Sequence, residues 1–329
     1  MKKLLIATTA LVMTTGVAAA EITLSGDARM GMIYDGEDVQ FGSRVRLKFN
    51  MTGESDTGLS YGASFRVDQE DFNNTYRSAA FGNRGVVWIS GTYGKLSMGD
   101  PVGAAEAVHG DLFAVGYTDG AVAFDPEEFN YLVGDGANRN QGPTVLYEYT
   151  MNQLSFFASA TDGVARDWGD VTRGDFDDFD FDDGDDIDAA WSLGVKYDGD
   201  QFFGGLSYSD SDIGEEIGAS IGGSWNQLSG KLVYLDYDID EVAGTGARDK
   251  SYGIDVVYEM DDAWTIGGFW RRDEWTADVV ALNNTGDEFD MFGIGAQYNL
   301  GGGVTLAGGI IDSDYVDDTV ADLGVKFTF

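Results

Sequence analysis

Ionisable side chains gather in two parts of the sequence, and both suggest electrostatic selection of solutes rather than catalysis. Basic residues recur at alternate positions in three segments near the amino terminus: Arg29, Arg44, Arg46, Lys48 and Arg66. Acidic residues crowd the segment 102–142, in which Arg139 is the one basic residue: Glu106, Asp111, Asp119, Asp125, Glu127, Glu128 and Asp135. Opposite charges facing one another across a water-filled passage make a transverse field that orients polar solutes. The alternative is that the arginines only compensate charge in very acidic surroundings.

Residues with catalytic potential are sparse. The chain has no cysteine, His109 is its single histidine, and no Gly-x-Ser-x-Gly elbow is present. A lone histidine cannot build a histidine-based metal site. We therefore predict that the protein is not an enzyme and requires no cofactor, and that His109 forms hydrogen bonds within its segment. A contribution of His109 to a charged passage stays open.

A run of aspartates marks the segment 175–188, and five of them are candidate ligands for Ca²⁺ or Mg²⁺: Asp178, Asp180, Asp182, Asp183 and Asp185. An EF-hand is excluded, because Asp183 stands where that loop requires glycine and Ala189 where it requires glutamate. Loose binding of a hard cation by clustered carboxylates is one interpretation. The other is a solvated, self-repelling loop.

Composition excludes several classes of protein. The chain has 329 residues and a formal charge of −37, which would repel nucleic acid. The mean hydropathy of −0.18 is too low for a polytopic helical membrane protein, but it suits a membrane β-barrel, in which polar and apolar residues alternate.

The first twenty residues have the features of an export signal. Lys2 and Lys3 precede a short apolar run, and small residues at 18–20 provide a cleavage site. We predict that 1–20 is removed and that 21–329 forms one barrel domain. Loss of the two lysines takes the formal charge from −37 to −39.

Apolar and polar residues alternate through almost all of the remaining chain, which is the pattern of half-buried strands. Ile22, Leu24, Val325 and Phe327 are typical of the apolar set. Sixteen strands are predicted, near 21–34, 41–54, 57–70, 82–93, 94–101, 143–150, 153–162, 187–198, 201–211, 215–226, 227–237, 249–260, 262–274, 285–300, 302–312 and 319–329. On this alternation Arg271 faces the same side as the other inward residues, and Arg272 does not.

Short turns follow the even strands, and longer loops, at 71–81, 102–142, 163–186, 238–248 and 275–284, follow most odd strands. This asymmetry and the even count predict an all-β, 16-stranded antiparallel transmembrane β-barrel whose first and last strands pair. The segment 102–142 is too rich in apolar residues for a solvated loop. We expect it to fold into the lumen as a constriction loop, to bury Phe113, Phe124 and their apolar neighbours, and to contain a helical turn at 104–108.

Several segments resemble the general-diffusion porins of alphaproteobacteria, the Rhodobacter-type porins. They are Leu24–Gly31, Gly62–Phe65, Gly94–Asp100, Gly110–Asp119, Tyr298–Gly303 and Val320–Phe327. The resemblance implies a trimer of sixteen-stranded barrels, each with a water-filled pore narrowed by its third loop. The terminal Phe327-Thr328-Phe329 is similar to the signal read by the barrel assembly machinery.

The function predicted from these features is passive diffusion of small hydrophilic solutes and ions across the outer membrane of a Gram-negative bacterium, with a mild preference for cations. Lipopolysaccharide is an expected neighbour of the barrel. Three rival functions stay open: a substrate-specific channel with a solute-binding site, an outer-membrane hydrolase that uses His109, and a closed structural or adhesive barrel.

Overall fold

Antiparallel strands form one closed sheet in the computed structural model, which describes residues 20–70, 76–78, 85–134, 144–161, 189–211, 214–239, 247–281, 284–316 and 318–329. The strand segments in these ranges are β1 Glu21–Tyr34, β2 Val39–Glu54, β3 Ser60–Glu70, β4 Tyr76–Ser78, β5 Gly85–Gly91, β6 Gly94–Gly99, β7 Thr144–Met151, β8 Leu154–Thr161, β9 Trp191–Asp198, β10 Phe202–Ser211, β11 Gly214–Trp225, β12 Leu228–Ile239, β13 Arg248–Glu259, β14 Trp264–Ala281, β15 Asn284–Gly301, β16 Val304–Ser313 and β17 Val320–Thr328. The predicted signal segment 1–20 lies outside the described residues except for Ala20.

The sheet closes because its first and last strands pair. Strand β1 aligns with β17 from Asp27 opposite Thr328 to Tyr34 opposite Ala321. Segments β4 and β5 both pair with β3, so they share one position in the wall. The barrel therefore has sixteen wall positions, and the predicted fold class is confirmed.

Alternation of side chains gives this barrel an apolar outside and a largely polar inside. The outward residues Leu24, Ile221 and Ile294 are each more than 60% exposed, whereas the inward Arg29 and Asp273 are buried. This distribution is the reverse of a soluble protein and suits an outer surface in contact with lipid. No helix in the described ranges is long and apolar enough to cross a membrane.

Connections of two to five residues lie at one end of the barrel, and the long connections, such as the one between β6 and β7, begin and end at strand ends on the other. We call these the short-turn end and the loop end. At the short-turn end, Asn152 and Asn226 adopt left-handed backbone conformations in the hairpins β7–β8 and β11–β12. Asparagine tolerates this conformation, which hairpin turns of two residues require.

Two predicted loops are partly strand in the structure. The prediction of a loop at 275–284 was wrong, because β14 continues to Ala281 and β15 begins at Asn284. A register shift between Glu274 and Val279 lets the pairing resume beyond the irregularity. Similarly, β4 lies within the predicted loop 71–81, because residues 76–78 pair with 67–69 of β3.

Residues 100–134 form a segment that packs against inward-facing side chains of the wall, and we call it the inner loop. It contains the helix α1, Ala104–His109, and a 3₁₀ turn, Ala121–Ala123. The helical turn predicted at 104–108 is confirmed. A buried apolar cluster joins Leu112, Val115 and Phe129 of the inner loop to wall residues that include Leu235 and Met291.

Most apolar side chains of the inner loop are buried, as expected, but Phe124 is not. Val108, Tyr117 and Leu132 are among the buried ones, and Phe113 is half-buried. Phe124 is 72% exposed and has a left-handed backbone with φ of 62°. It ends the 3₁₀ turn, so its side chain leaves the cluster that covers its neighbours.

Glycines in the wall let the inner loop approach closely. A Cβ atom on Gly309 would overlap Cγ1 of Val115, and one on Gly205 would overlap Cγ1 of Val108. A Cβ on Gly324 would lie 2.6 Å from the ring of Tyr117. The inward glycines therefore leave space on the wall that side chains of the inner loop occupy. A larger residue at these positions would fill that space.

Candidate functional site

Carboxylates of the wall bind backbone N–H groups of the inner loop. Asp322 accepts hydrogen bonds from the N–H groups of Tyr117, at 3.1 Å, and Thr118, at 2.8 Å. Glu216 accepts one from the N–H of Leu132 at 2.8 Å. These hydrogen bonds attach both halves of the inner loop to the wall.

Cations of the wall bind backbone carbonyl groups of the same loop. Lys231 Nζ donates to the carbonyl of His109 at 3.1 Å and to that of Asp111. Arg271 Nη1 donates to the carbonyls of Glu128 and, at 3.3 Å, Pro126. Arg271 thus faces inward, as its position in the alternation predicts.

His109 fastens the end of helix α1 to the wall. Its Nδ1 lies 2.8 Å from Ser220 Oγ and its Nε2 lies 2.9 Å from Ser207 Oγ. Burial, with the nearby charges of Lys231 and Lys196, lowers its pKa to about 4. The imidazole is therefore neutral at pH 7, and its hydrogen bonds reach wall residues rather than the loop residues expected from the sequence.

Asp119 is the point at which the predicted acidic and basic groups meet. Its carboxylate lies 3.4 Å from Arg29 Nη1, 4.0 Å from Arg44 Nη2, and in direct contact with Lys326 Nζ. Arg29 also donates to the carbonyl of Thr118. The second partner of Arg44 is Asp27, at 3.0 Å.

Glu127 is an acidic residue of the predicted constriction that the fold buries. It is 3% exposed, and its Oε2 has no hydrogen-bond partner within the described residues. Burial, and then the repulsion of Asp125, Glu128 and Asp111, raise its pKa to about 9. Glu127 is therefore protonated at pH 7 and adds no charge there.

The other predicted residues lie in several places around the lumen. Asp111 accepts a hydrogen bond from the N–H of Phe129 at 3.0 Å, and burial raises its pKa. Asp125 and Glu128 line a cavity between the inner loop and the wall. Glu106 lies half-buried in helix α1. Arg46 and Arg66 are half-buried on the inward face of β2 and β3, where Lys48 and Arg66 are register partners.

Four residues that bind the inner loop were missed by the sequence prediction, which considered only the first three strands as the basic wall. They are Glu216, Lys231, Asp322 and Lys326. Each is a charged residue at an inward position of an alternating strand. Arg271 was predicted to face inward, but its contact with the loop was not predicted. The alternation in the sequence predicts these inward positions. It does not predict which inward charges contact the inner loop and which are exposed to water.

The predicted cation ligands Asp178, Asp180, Asp182, Asp183 and Asp185 lie outside the described residues. Within the described part of the chain, no group of three or more His, Asp or Glu side chains is arranged to hold a metal ion.

A family model described as "Gram-negative porin" matches residues 7–318. The chain belongs to the Gram-negative porin family. A porin of Rhodobacter capsulatus is 34% identical over 336 residues, covering 94% of this chain and all of the relative. A porin of Fuscovulum blasticum is 26% identical, with the same coverage. The resemblance to Rhodobacter-type porins is thereby confirmed.

Solved structures agree with this family assignment. A porin structure with 33% sequence identity matches with a TM-score of 0.76, covering 94% of this chain and all of that one. Variants of the Rhodopseudomonas blastica porin, 19% identical with TM-scores of 0.66 to 0.68, show the same fold.

Membership of the porin family decides between several of the rival functions. Porins are outer-membrane channels rather than enzymes, which confirms the prediction that this chain is not an enzyme. A hydrolase that uses His109 is therefore excluded, in keeping with the hydrogen bonds of His109 to two wall serines. The family also supports the prediction that no cofactor is required.

Proposed function

We propose that the chain is a general-diffusion porin that passes small hydrophilic solutes and ions through a water-filled lumen, with a mild preference for cations. The segment 102–142 is proposed to narrow this lumen. The constriction has a basic wall of Arg29, Arg44, Arg46 and Arg66 and an acidic loop of Glu106, Asp111, Asp119, Asp125 and Glu128. Glu127 belongs to the same loop but contributes no charge at neutral pH.

The contact of Asp119 with Arg29, Arg44 and Lys326 carries this proposal. It is supported by the attachment of the inner loop to the wall through Asp322, Glu216, Lys231 and Arg271. A loop held by so many charged groups stays inside the barrel while solutes pass. The formal charge of −37 supports the preference for cations, since acidic groups raise the local cation concentration.

We propose that three barrels assemble as a trimer, with β5 and β6 in the contact. Outward-facing Val87 and Met98 leave exposed apolar surface there, beside glycines at 91, 94 and 99 that permit close approach. Outer-membrane lipid and lipopolysaccharide then cover the rest of the apolar face. The barrel assembly machinery is the proposed reader of the carboxyl-terminal Phe327-Thr328-Phe329, and Glu21 is the proposed first residue after export. Loosely bound Ca²⁺ or Mg²⁺ at the aspartates of 175–188 stays part of the proposal.

Conductance of the purified protein in a planar lipid bilayer tests the proposed function. Stepwise insertion of large ohmic channels is expected, and closure in three equal steps is expected for a trimer. A salt gradient gives the ion preference from the sign of the reversal potential. Chloride preference would overturn the selectivity, and silence from correctly folded protein would overturn diffusion and favour a structural or adhesive barrel.

A further inference from the structure

A cavity of about 320 Å³ lies between the inner loop and strands β13, β14 and β15. Phe124, Asp125 and Glu128 contribute to its loop side, and Arg248 and Met291 to its wall side. Small-molecule sites are commonly concave spaces of about 300–1,000 Å³ that combine apolar lining with a few polar groups. This cavity has both features.

Two charged groups of the cavity wall neutralise each other. Arg271 donates to Asp273 through Nε at 3.0 Å and through Nη2 at 2.9 Å, and its Nη1 binds loop carbonyls. Asp273 is fully buried and also accepts hydrogen bonds from Ser251, at 2.6 Å, and Tyr315, at 2.9 Å. This pair builds the floor of the cavity and leaves little capacity for a ligand.

Arg248 differs from Arg271 because one nitrogen of its guanidinium lacks a hydrogen-bond acceptor within the described residues. Its Nη2 lies 3.4 Å from Asp273, its Cζ lies 5.2 Å from the centroid of the Trp275 ring, and its side chain also forms a hydrogen bond with Tyr237. Its Nη1 is buried and has no hydrogen-bond partner in the described part of the chain. A buried donor without a partner costs about 1–3 kcal/mol. A carboxylate bound in the cavity beside Arg248 would give this donor an acceptor and remove that cost.

We propose that this cavity binds a zwitterionic amino acid with an apolar side chain. The carboxylate of the ligand pairs with Arg248, and its ammonium group pairs with Asp125 and Glu128 on the opposite side. A ligand with only a carboxylate would be repelled by these two acids, and a ligand with only an ammonium group would leave Arg248 Nη1 without an acceptor. The zwitterion satisfies both sides.

Phe124 and Met291 supply the apolar part of the proposed site. Phe124 is 72% exposed although it is a phenylalanine in a left-handed backbone conformation, which costs energy for a bulky residue. Such strain concentrates at ligand-binding positions. Contact with an apolar ligand side chain gives this exposed ring a partner.

Binding of L-leucine to the full-length, detergent-purified protein tests the inference by isothermal titration calorimetry. Leucinamide, which lacks the carboxylate, and N-acetyl-leucine, which lacks the ammonium group, are the matched probes. We expect saturable binding of leucine and at least tenfold weaker binding of both analogues. Equal binding of all three probes, or no heat from leucine, would overturn the proposal.

Three variants locate the site. Arg248→Gln is expected to abolish leucine binding, and Phe124→Gly, which keeps the left-handed backbone, to weaken it severalfold. Arg272→Gln is the control, because Arg272 faces outward and pairs with Asp290 and Glu288; its binding should equal that of the unmodified protein. If Arg248→Gln does not fold, Phe124→Gly decides. Unchanged binding by both folded variants would overturn the assignment of the site.

Bilayer measurements separate this inference from the proposed diffusion. Saturable reduction of channel conductance by leucine is expected, with loss of the effect in Phe124→Gly. Channels that conduct but neither bind nor respond to leucine would overturn the solute site and leave general diffusion intact. Binding of leucine by protein that forms no channels would support the site and overturn diffusion.

Discussion

Asp119 lies 3.4 Å from Arg29, and the pair joins the inner loop to the seam at which the barrel closes. In the wall, Arg29 is the register partner of Arg44 on β2 and of Lys326 on β17. Three cations therefore stand side by side on three neighbouring strands, an arrangement that is unfavourable without a counter-charge. Asp119 contacts all three, which explains why this loop residue adopts a left-handed backbone with φ of 57° to reach them.

Replacement of Asp119 by asparagine should shift the selectivity of the pore toward anions. Three wall cations would then act on passing ions with less compensation. A unit charge about 4 Å from an ion contributes about 1 kcal/mol in water, so we expect up to about a fivefold change in the cation-to-anion permeability ratio. Reversal potentials under a salt gradient measure this ratio.

Asp200→Asn is the matched control for this experiment. Asp200 is an exposed residue of a turn at the short-turn end, so its replacement removes the same formal charge away from the cluster. Equal shifts in the two variants would show that net charge, rather than the position of Asp119, sets selectivity.

Replacement of Glu127 by glutamine should make the protein more stable than the unmodified protein, by a margin that grows as the pH rises. Ion selectivity should stay unchanged. Because the folded pKa is raised to about 9 from 4.5, the unfolded chain loses this proton first. The free energy of unfolding therefore decreases as the pH rises from about 4.5 to 9. Glutamine is neutral in both states, so the variant does not lose this stability.

Thermal unfolding of the unmodified protein and of Glu127→Gln should therefore coincide near pH 4.5 and separate by pH 8, with the variant the more stable. Glu54→Gln is the control, because Glu54 is exposed at the short-turn end of β2, away from the inner loop. A reversal potential altered by Glu127→Gln would contradict the assignment of a neutral, buried carboxyl group.

The strand pattern could be read from the sequence because lipid and lumen impose opposite demands on alternate residues. Leu24 and Arg29 are sorted to opposite faces by hydropathy alone. The loop predicted at 275–284 failed for a different reason: the strand pairing is interrupted by a register shift after Glu274 and resumes at Val279, so the strands continue beyond the point at which the regular alternation ends.

The contacts of the inner loop could not be read from the sequence in the same way. Asp119 and Glu127 belong to one acidic segment, yet the first pairs with cations and the second is buried, with no partner for its Oε2 among the residues that the structure describes. Hydropathy and spacing do not distinguish them, because the difference depends on which wall strand each residue meets. The apolar Phe124 was likewise expected to be buried, and only the path of the chain after the 3₁₀ turn exposes it.

Replacement of Gly309 by alanine should displace the inner loop, because the new Cβ overlaps Val115 Cγ1. Overpacking of a well-packed site costs about 1–3 kcal/mol. The double variant Gly309→Ala with Val115→Ala should recover part of this loss. Limited proteolysis of the inner loop measures the displacement, and Gly85→Ala, whose Cβ would lie 3.7 Å from its nearest neighbour, should behave like the unmodified protein. Equal cleavage of both alanine variants would contradict the close approach.

Acid should weaken the attachment of helix α1 to the wall through His109. The folded pKa is lowered to about 4 from 6.5, so the released or unfolded imidazole takes up a proton first. Stability contributed by neutral His109 is present above about pH 6.5 and declines as pH falls toward 4. The shift from 6.5 to about 4 corresponds to about 3 kcal/mol over this range.

His109→Gln keeps hydrogen-bonding capacity toward Ser207 and Ser220 but does not titrate in this range. Thermal unfolding of the two proteins at pH 7 and pH 4.5 should therefore show a larger acid-induced loss in the unmodified protein, and the same loss in both would mean that other groups cause it.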